Sequence, residues 1–262
     1  MSRRVDRLGM RACSLVAVGL FAFTLAVPAA PPKTQPTTPS VDAIVGDYVT
    51  ARGGLAKIRA LKTLRQTGRV FEGQGREALV VREVKPPGRI RVQFTIQGVT
   101  AVFASNGTTG WKVSPFEDDM QIKELPDEVT KEAIEQTDLE GPLVDWKAKG
   151  HTVEFAGNET VSGRATYKLK ITLKSGAVRT SYIDVASHFE VRVDSTRQVK
   201  GRDLKIETTF SDHKKTGGVL FPRRIEIAAE GRPQRPRVVV DKVEVNPALS
   251  DALFERPSPA KH

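Results

Sequence analysis

The chain has 262 residues, 41 lysines and arginines against 31 acids, and one cysteine, Cys13. A lone cysteine excludes a disulfide framework, and its place at the very start of the first apolar run excludes a lipid-modified cysteine following that run. Aromatic content of 6% without a nucleic-acid-binding module outweighs the +10 charge, so no nucleic-acid partner is expected.

MSRRVDRLGMR is short and basic, ACSLVAVGLFAFTLAV is uncharged and apolar, and VPAAPP follows. That order is that of a secretory signal peptide, read over 1–29 with cleavage after Ala29. Pro28 stops the apolar run too soon for a membrane span. The reading expects a periplasmic protein, soluble after cleavage and monomeric. APPKTQPTTPS at 30–40 reads as an extended Pro-rich tether, 41–257 as one large β-domain and 258–262 as a tail.

Removing 1–29 takes away four arginines and Asp6, leaving a net +7. Ten acids and two lysines at 117–140 give that stretch −8 against +15 elsewhere. Two readings follow: a solvated acidic helix on a basic β-domain, or a lid clasped electrostatically over a basic rim.

Residues 41–61 place Val41, Ile44, Val45, Tyr48, Leu55, Ile58 and Leu61 at helical spacings, broken by Gly53-Gly54. Two short amphipathic helices with a bend are expected, Ser40 or Asp42 capping the first. Strand signals begin at Leu64. The clearest is RIRVQFTIQG at 89–98, where Ile90, Val92, Phe94 and Ile96 alternate with Arg91, Gln93 and Thr95. Asn106-Gly107 marks a hairpin before Trp111. PDEVTKEAIEQ is the one internal helix, with a narrow apolar stripe of Val129, Ala133 and Ile134. Seven further strand-like segments follow, joined by short turns that imply antiparallel neighbours. Arg232, Arg235 and Arg237 read as a solvated edge strand.

Ten to twelve half-buried strands with so few helices predict a mainly β fold, one large curved antiparallel sheet or a barrel. Such a sheet carries more apolar surface than those helices cover.

No catalytic constellation emerges. His151, His188, His213 and His262 are scattered, and His151 and His213 read as solvated turn residues. There is no HExxH spacing, nucleophile elbow or phosphate-cradling loop, and Asp118-Asp119 lacks the spacing of a calcium loop. No enzyme activity, cofactor or metal is expected.

GGLAKIRALKTLRQTG at 53–68, NGTTGWKVSPFEDD at 106–119, DLEGPLVDWKAKGHTVEFAG at 138–157 and VEVNPALSDALFERP at 243–257 carry a family resemblance. Over 41–257 the chain resembles the outer-membrane lipoprotein-sorting proteins of the LolA/LolB-like superfamily. The resemblance implies a single curved antiparallel sheet forming an unclosed half-barrel with short helices across its mouth, whose apolar interior holds the acyl chains of a lipoprotein or lipid. It also implies a membrane-anchored donor or acceptor. The alternative within the same fold is a sensor or interaction module that binds a membrane-anchored regulator or reports mislocalised lipoproteins.

Burying an acyl chain is worth about 0.8 kcal/mol per methylene, on the order of 12 kcal/mol for sixteen carbons. Three or four inward residues on one strand span roughly 20–25 Å, about one such chain. The lining candidates in the first half are Val92, Phe94, Ile96, Phe103 and Trp111. In the second half they are Leu169, Ile171, Tyr182, Phe189, Val191, Phe210 and Ile225. The competing expectation for each is ordinary core packing. Arg223 shares parity with Phe221 and Ile225 and is the candidate head-group contact, unless a bulge at Pro222 turns it outward.

Overall fold

The structure, a computed structural model, describes residues 39–73, 75–117, 121–199 and 202–257. The export signal, all but the last two residues of the tether, the 258–262 tail and Asp118-Asp119 lie outside the described residues.

Ser40 opens helix α1 (Val41–Arg52), its hydroxyl accepting from the Ala43 N–H at 3.2 Å. Ile44, Val45 and Tyr48 form the buried stripe. Gly53, at φ 133°, ends the helix, and a Cβ there would collide with the Gly218 carbonyl. Helix α2 (Leu55–Arg59) follows directly and buries Ile58. The predicted bend is thus a close approach to a distant hairpin.

Thirteen strands then build a single sheet. They are β1 (Leu64–Glu72), β2 (Arg76–Lys85), β3 (Arg89–Ile96), β4 (Val99–Asn106), β5 (Gly110–Val113), β6 (Lys123–Glu124) and β7 (Thr152–Val161). The rest are β8 (Arg164–Thr172), β9 (Val178–Asp184), β10 (Glu190–Val199), β11 (Arg202–Thr216), β12 (Val219–Ala229) and β13 (Arg237–Val245). Helix α3 (Asp127–Glu135) separates β6 from β7. The spatial order is β6-β5-β4-β3-β2-β1-β13-β12-β11-β10-β9-β8-β7. Every pairing is antiparallel, the last strand joins the first, and β6 and β7 remain unpaired edges, so the curved sheet is not closed.

We call inner the face on which the helices lie. One core cluster joins Ile58 and Leu61 to Leu64, Val84, Ile90, Phe221 and Val240 across the middle of the sheet. A second joins Ile44 and Tyr48 of α1 to Val153, Leu169, Ile171 and Ile183. Leu139 and Val144 serve the first cluster and Leu143 the second, so the turns after α3 span both. The outer face is covered at one end by the C-terminal segment, where Phe254 is fully buried.

Arg237 departs from expectation. Strand β13 lies between β1 and β12, well inside the sheet, and the Arg237 guanidinium stacks on Phe71, 5.1 Å from the ring centroid.

Candidate binding face

The alternation read in RIRVQFTIQG sets the geometry of the inner face. Ile90, Val92, Phe94 and Ile96 all project there, and exposure grows along the strand from 3% at Ile90 to 38% at Ile96. Cross-strand partners extend this gradient sideways. One row runs Ala101, Phe94, Val80, Gly68, Val240 across β4, β3, β2, β1 and β13. The next runs Ala78, Val70, Val238, Ile225, Phe210. Phe94, Val80, Val70, Val238, Ile225 and Phe210 are each half-buried. Together they make an apolar strip crossing six strands, beyond the reach of the core clusters beneath the helices except at its border with Val240 and Val238. Phe103, opposite Val92, meets Phe94 edge-on at 6.1 Å.

Six of the predicted lining residues therefore present half-buried or exposed apolar surface on the inner face: Val92, Phe94, Ile96 and Phe103 on one wing, and the facing pair Phe210 and Ile225 on the other. Leu169 and Ile171 also point inward, but both are fully buried beneath α1 and serve as core. Phe189 borders a cavity of about 190 Å³ with Tyr48, Arg52, Phe210 and His213.

Three candidates lie elsewhere. Trp111 pairs with Ala104, so alternation puts it on the outer face, where its indole N–H donates to the Phe254 carbonyl at 3.0 Å. Tyr182 pairs with Lys168 and also faces outward; its hydroxyl donates to Asp194 at 2.8 Å and Arg192 stacks on its ring. Val191 sits at a register shift between Glu190 and Arg192, which turns it to the Tyr182 side.

Arg223 keeps its inward parity, because the β11–β12 ladder continues without a shift through His213 and Pro222. Its guanidinium donates to the Thr216 hydroxyl at 2.7 Å.

The polar groups of the inner face are few. Arg82 shares a row with Val92 and Gln66, donating to the Gln66 side-chain oxygen at 3.0 Å and to the Gln136 carbonyl at 2.9 Å. Burial pushes its guanidinium down to about 10. Under α1, Ser181 donates to Glu190 at 2.6 Å, and burial raises the Glu190 carboxyl above its ordinary range. Burial also lowers His213, whose ring lies 5.0 Å from Phe189; it is a half-buried strand residue, not the solvated turn residue expected. Arg52 ties α1 to the turns after α3, donating to the carbonyls of Leu139 at 2.7 Å and of Glu140. Helix α3 lies over β3, β4 and β5, and Glu132 reaches Arg197 of β10 at 3.1 Å. Sequence reasoning missed Val70, Val80 and Val238, because their strands are apolar on successive residues and parity cannot be read there.

Among the described residues no three His, Cys, Asp or Glu side chains gather as a metal ion requires, and no helix is long and apolar enough to cross a membrane. No protein-family model and no curated protein sequence matches the chain. Solved structures do. A DUF1329 family protein from Desulfovibrio piger superposes with a TM-score of 0.57 at 14% identity, over 83% of this chain and 98% of that one. A LolA superfamily protein from Nitrosomonas europaea gives 0.54 at 13%, over 84% and 99%. The fold is LolA-like. An outer-membrane lipoprotein-sorting protein domain from Vibrio parahaemolyticus gives 0.55 at 12%, over 82% and 97%. At these identities the likeness concerns the overall fold alone.

Proposed function

We propose that this chain is a non-catalytic periplasmic carrier that holds acyl chains of a lipoprotein or lipid against its inner face, for sorting to the outer membrane. The observation that carries the reading is the strip of half-buried apolar side chains from Phe94 to Ile225 and Phe210, which the chain's own helices leave uncovered. Hydrocarbon offers no hydrogen bonds, so a dry apolar surface suffices to hold it, at about 0.8 kcal/mol per methylene removed from water. The LolA-like architecture supports the same reading, since one compared structure is described as a lipoprotein-sorting domain.

Helix α3 acts as the cover. It touches one wing of the sheet directly and the other through Glu132 and Arg197, so its opening widens access to the inner face.

Native mass spectrometry of the purified protein before and after addition of phospholipid, fatty acid and a synthetic lipopeptide tests the proposal. One bound amphiphile per chain is expected. A spectrum of bare chain under every condition overturns it, and a stable protein partner retained without lipid favours the interaction-module alternative.

A further inference from the structure

A cavity of about 530 Å³ opens where three segments meet: the β2–β3 turn at Pro86-Pro87, the C-terminal end of α3 with residues 134–138, and the β8–β9 turn at 173–175. Its walls are apolar at Pro86, Pro87, Ile134, Pro142 and Leu173. Four basic side chains also line it, and they are not equivalent.

Lys149 is neutralised by Asp138 at 2.7 Å and Glu140 at 3.6 Å. His151 accepts the Lys174 backbone N–H on Nδ1 at 3.1 Å, and burial with the nearby Lys149 and Arg179 cations lowers its pKa below the ordinary histidine value. Lys174 and Arg179, by contrast, meet no carboxylate within ion-pair distance among the described residues. Nor is an acid of the cavity idle: Asp138 holds Lys149, and Glu135 accepts the Ser175 hydroxyl at 2.5 Å.

Arg179 stands opposite Ile171 on β9, so it points inward. Directly behind the wall, Arg82 holds the Gln136 carbonyl, a second guanidinium with no carboxylate partner. Arg82 in turn sits beside Val92, where the apolar strip begins. The half-buried Arg179 guanidinium, walled by proline and leucine, has lost part of its hydration without gaining a directly paired carboxylate, the Glu190 charge reaching it only through space. An anion restores that loss, and a planar oxyanion accepts two parallel N–H bonds from arginine. A free ion leaves most of a 530 Å³ space, with apolar wall at Pro86, Pro87, Ile134, Pro142 and Leu173, unfilled.

We propose that this cavity receives the anionic head, a phosphate or carboxylate, of an amphiphile whose chain lies on the apolar strip, with Arg179 as the principal contact and Lys174 at the rim. The proposal rests on the acyl-chain reading of the inner face and adds Arg179 as a head-group contact distinct from Arg223, which donates to the Thr216 hydroxyl and does not line this cavity.

The test uses the full chain loaded with the uncharged fluorescent probe N-phenylnaphthylamine, displaced by dodecyl phosphate, dodecanoate, dodecanol or inorganic phosphate. Dodecyl phosphate or dodecanoate is expected to compete at least tenfold better than dodecanol, and the comparison of the two tells which oxyanion is preferred. Arg179→Gln is expected to cut that preference below threefold while leaving dodecanol unchanged, and Arg179→Lys to retain most of it. Inorganic phosphate alone is expected not to displace the probe. Equal competition by anionic and neutral amphiphiles overturns the proposal and leaves the acyl-chain reading standing. So does an Arg179→Gln variant that weakens dodecanol as much, or inorganic phosphate competing as well as its dodecyl ester. Failure of the probe and every amphiphile to bind overturns both. Should Arg179→Gln not fold, as judged by thermal melting, Lys174→Gln with Arg179→Lys decides by the same preference ratio.

Discussion

Arg197 of β10 meets Glu132 of α3 at 3.1 Å, while the same helix lies on β3, β4 and β5. One ion pair thus links the lid to the opposite wing of an open sheet. Both partners are partly exposed, so the pair contributes at most about 1 kcal/mol to stability. Its effect should appear in exchange instead. Arg197→Ala is expected to speed release of a bound lipophilic probe several-fold, as should raised salt in the wild type, with the melting temperature nearly unchanged. Stopped-flow release kinetics measure this.

Inner-face residues should divide by depth. Phe94→Gln removes half-buried surface from the strip and is expected to weaken lipid binding about tenfold while lowering stability by roughly 1–2 kcal/mol. Leu169→Ala opens a cavity beneath α1 and is expected to cost about 2–5 kcal/mol. Urea denaturation alongside lipid titration separates the two effects.

Trp111 supplies a control on the other face. Trp111→Ala is expected to destabilise by about 3–5 kcal/mol, because it empties the site under Phe254. Trp111→Phe, which chiefly removes the hydrogen bond, should cost about 1 kcal/mol. Affinity for lipid, corrected for the folded fraction, should not change in Trp111→Phe.

Glu190 predicts a pH dependence. Burial raises its folded-state value above the ordinary 4.5, so the folded protein binds this proton more tightly than the unfolded chain does. Its contribution is fully present below about 4.5 and is lost as pH rises through the raised folded value. Glu190→Gln keeps an acceptor for Ser181 but cannot ionise, so its stability relative to wild type should increase with pH above 4.5. Denaturation at several pH values checks the slope; a pH-independent difference would contradict it.

Much of this fold is legible in residue order because local signals agree with it. The bend at Gly53-Gly54, the Ser40 cap and the alternation in β3, β8 and β11 each report one strand parity or one helix end without ambiguity. The faces of Trp111, Tyr182 and Val191 were not legible, for distinct reasons. Strand β5 has four residues, too few for alternation to assign a side, and Gly110 opposite Ser105 fixes it. Tyr182 and Ile183 are adjacent and both buried, on opposite faces. Val191 stands at a register shift. In β13 the bulge at Asp241 opposite Thr67 and Gly68 returns Val243 to the side of Val240, which a strict two-residue period places oppositely.

The central claim is that hydrocarbon lies on the inner face, and photo-crosslinking tests it most directly. A diazirine-bearing palmitoyl probe, irradiated with the full chain and mapped by peptide mass spectrometry, should label the strands carrying Val92, Phe94, Phe103, Phe210 and Ile225. Labelling concentrated on outer-face peptides around Trp111 and Tyr182, or spread evenly over the sheet, would contradict the account.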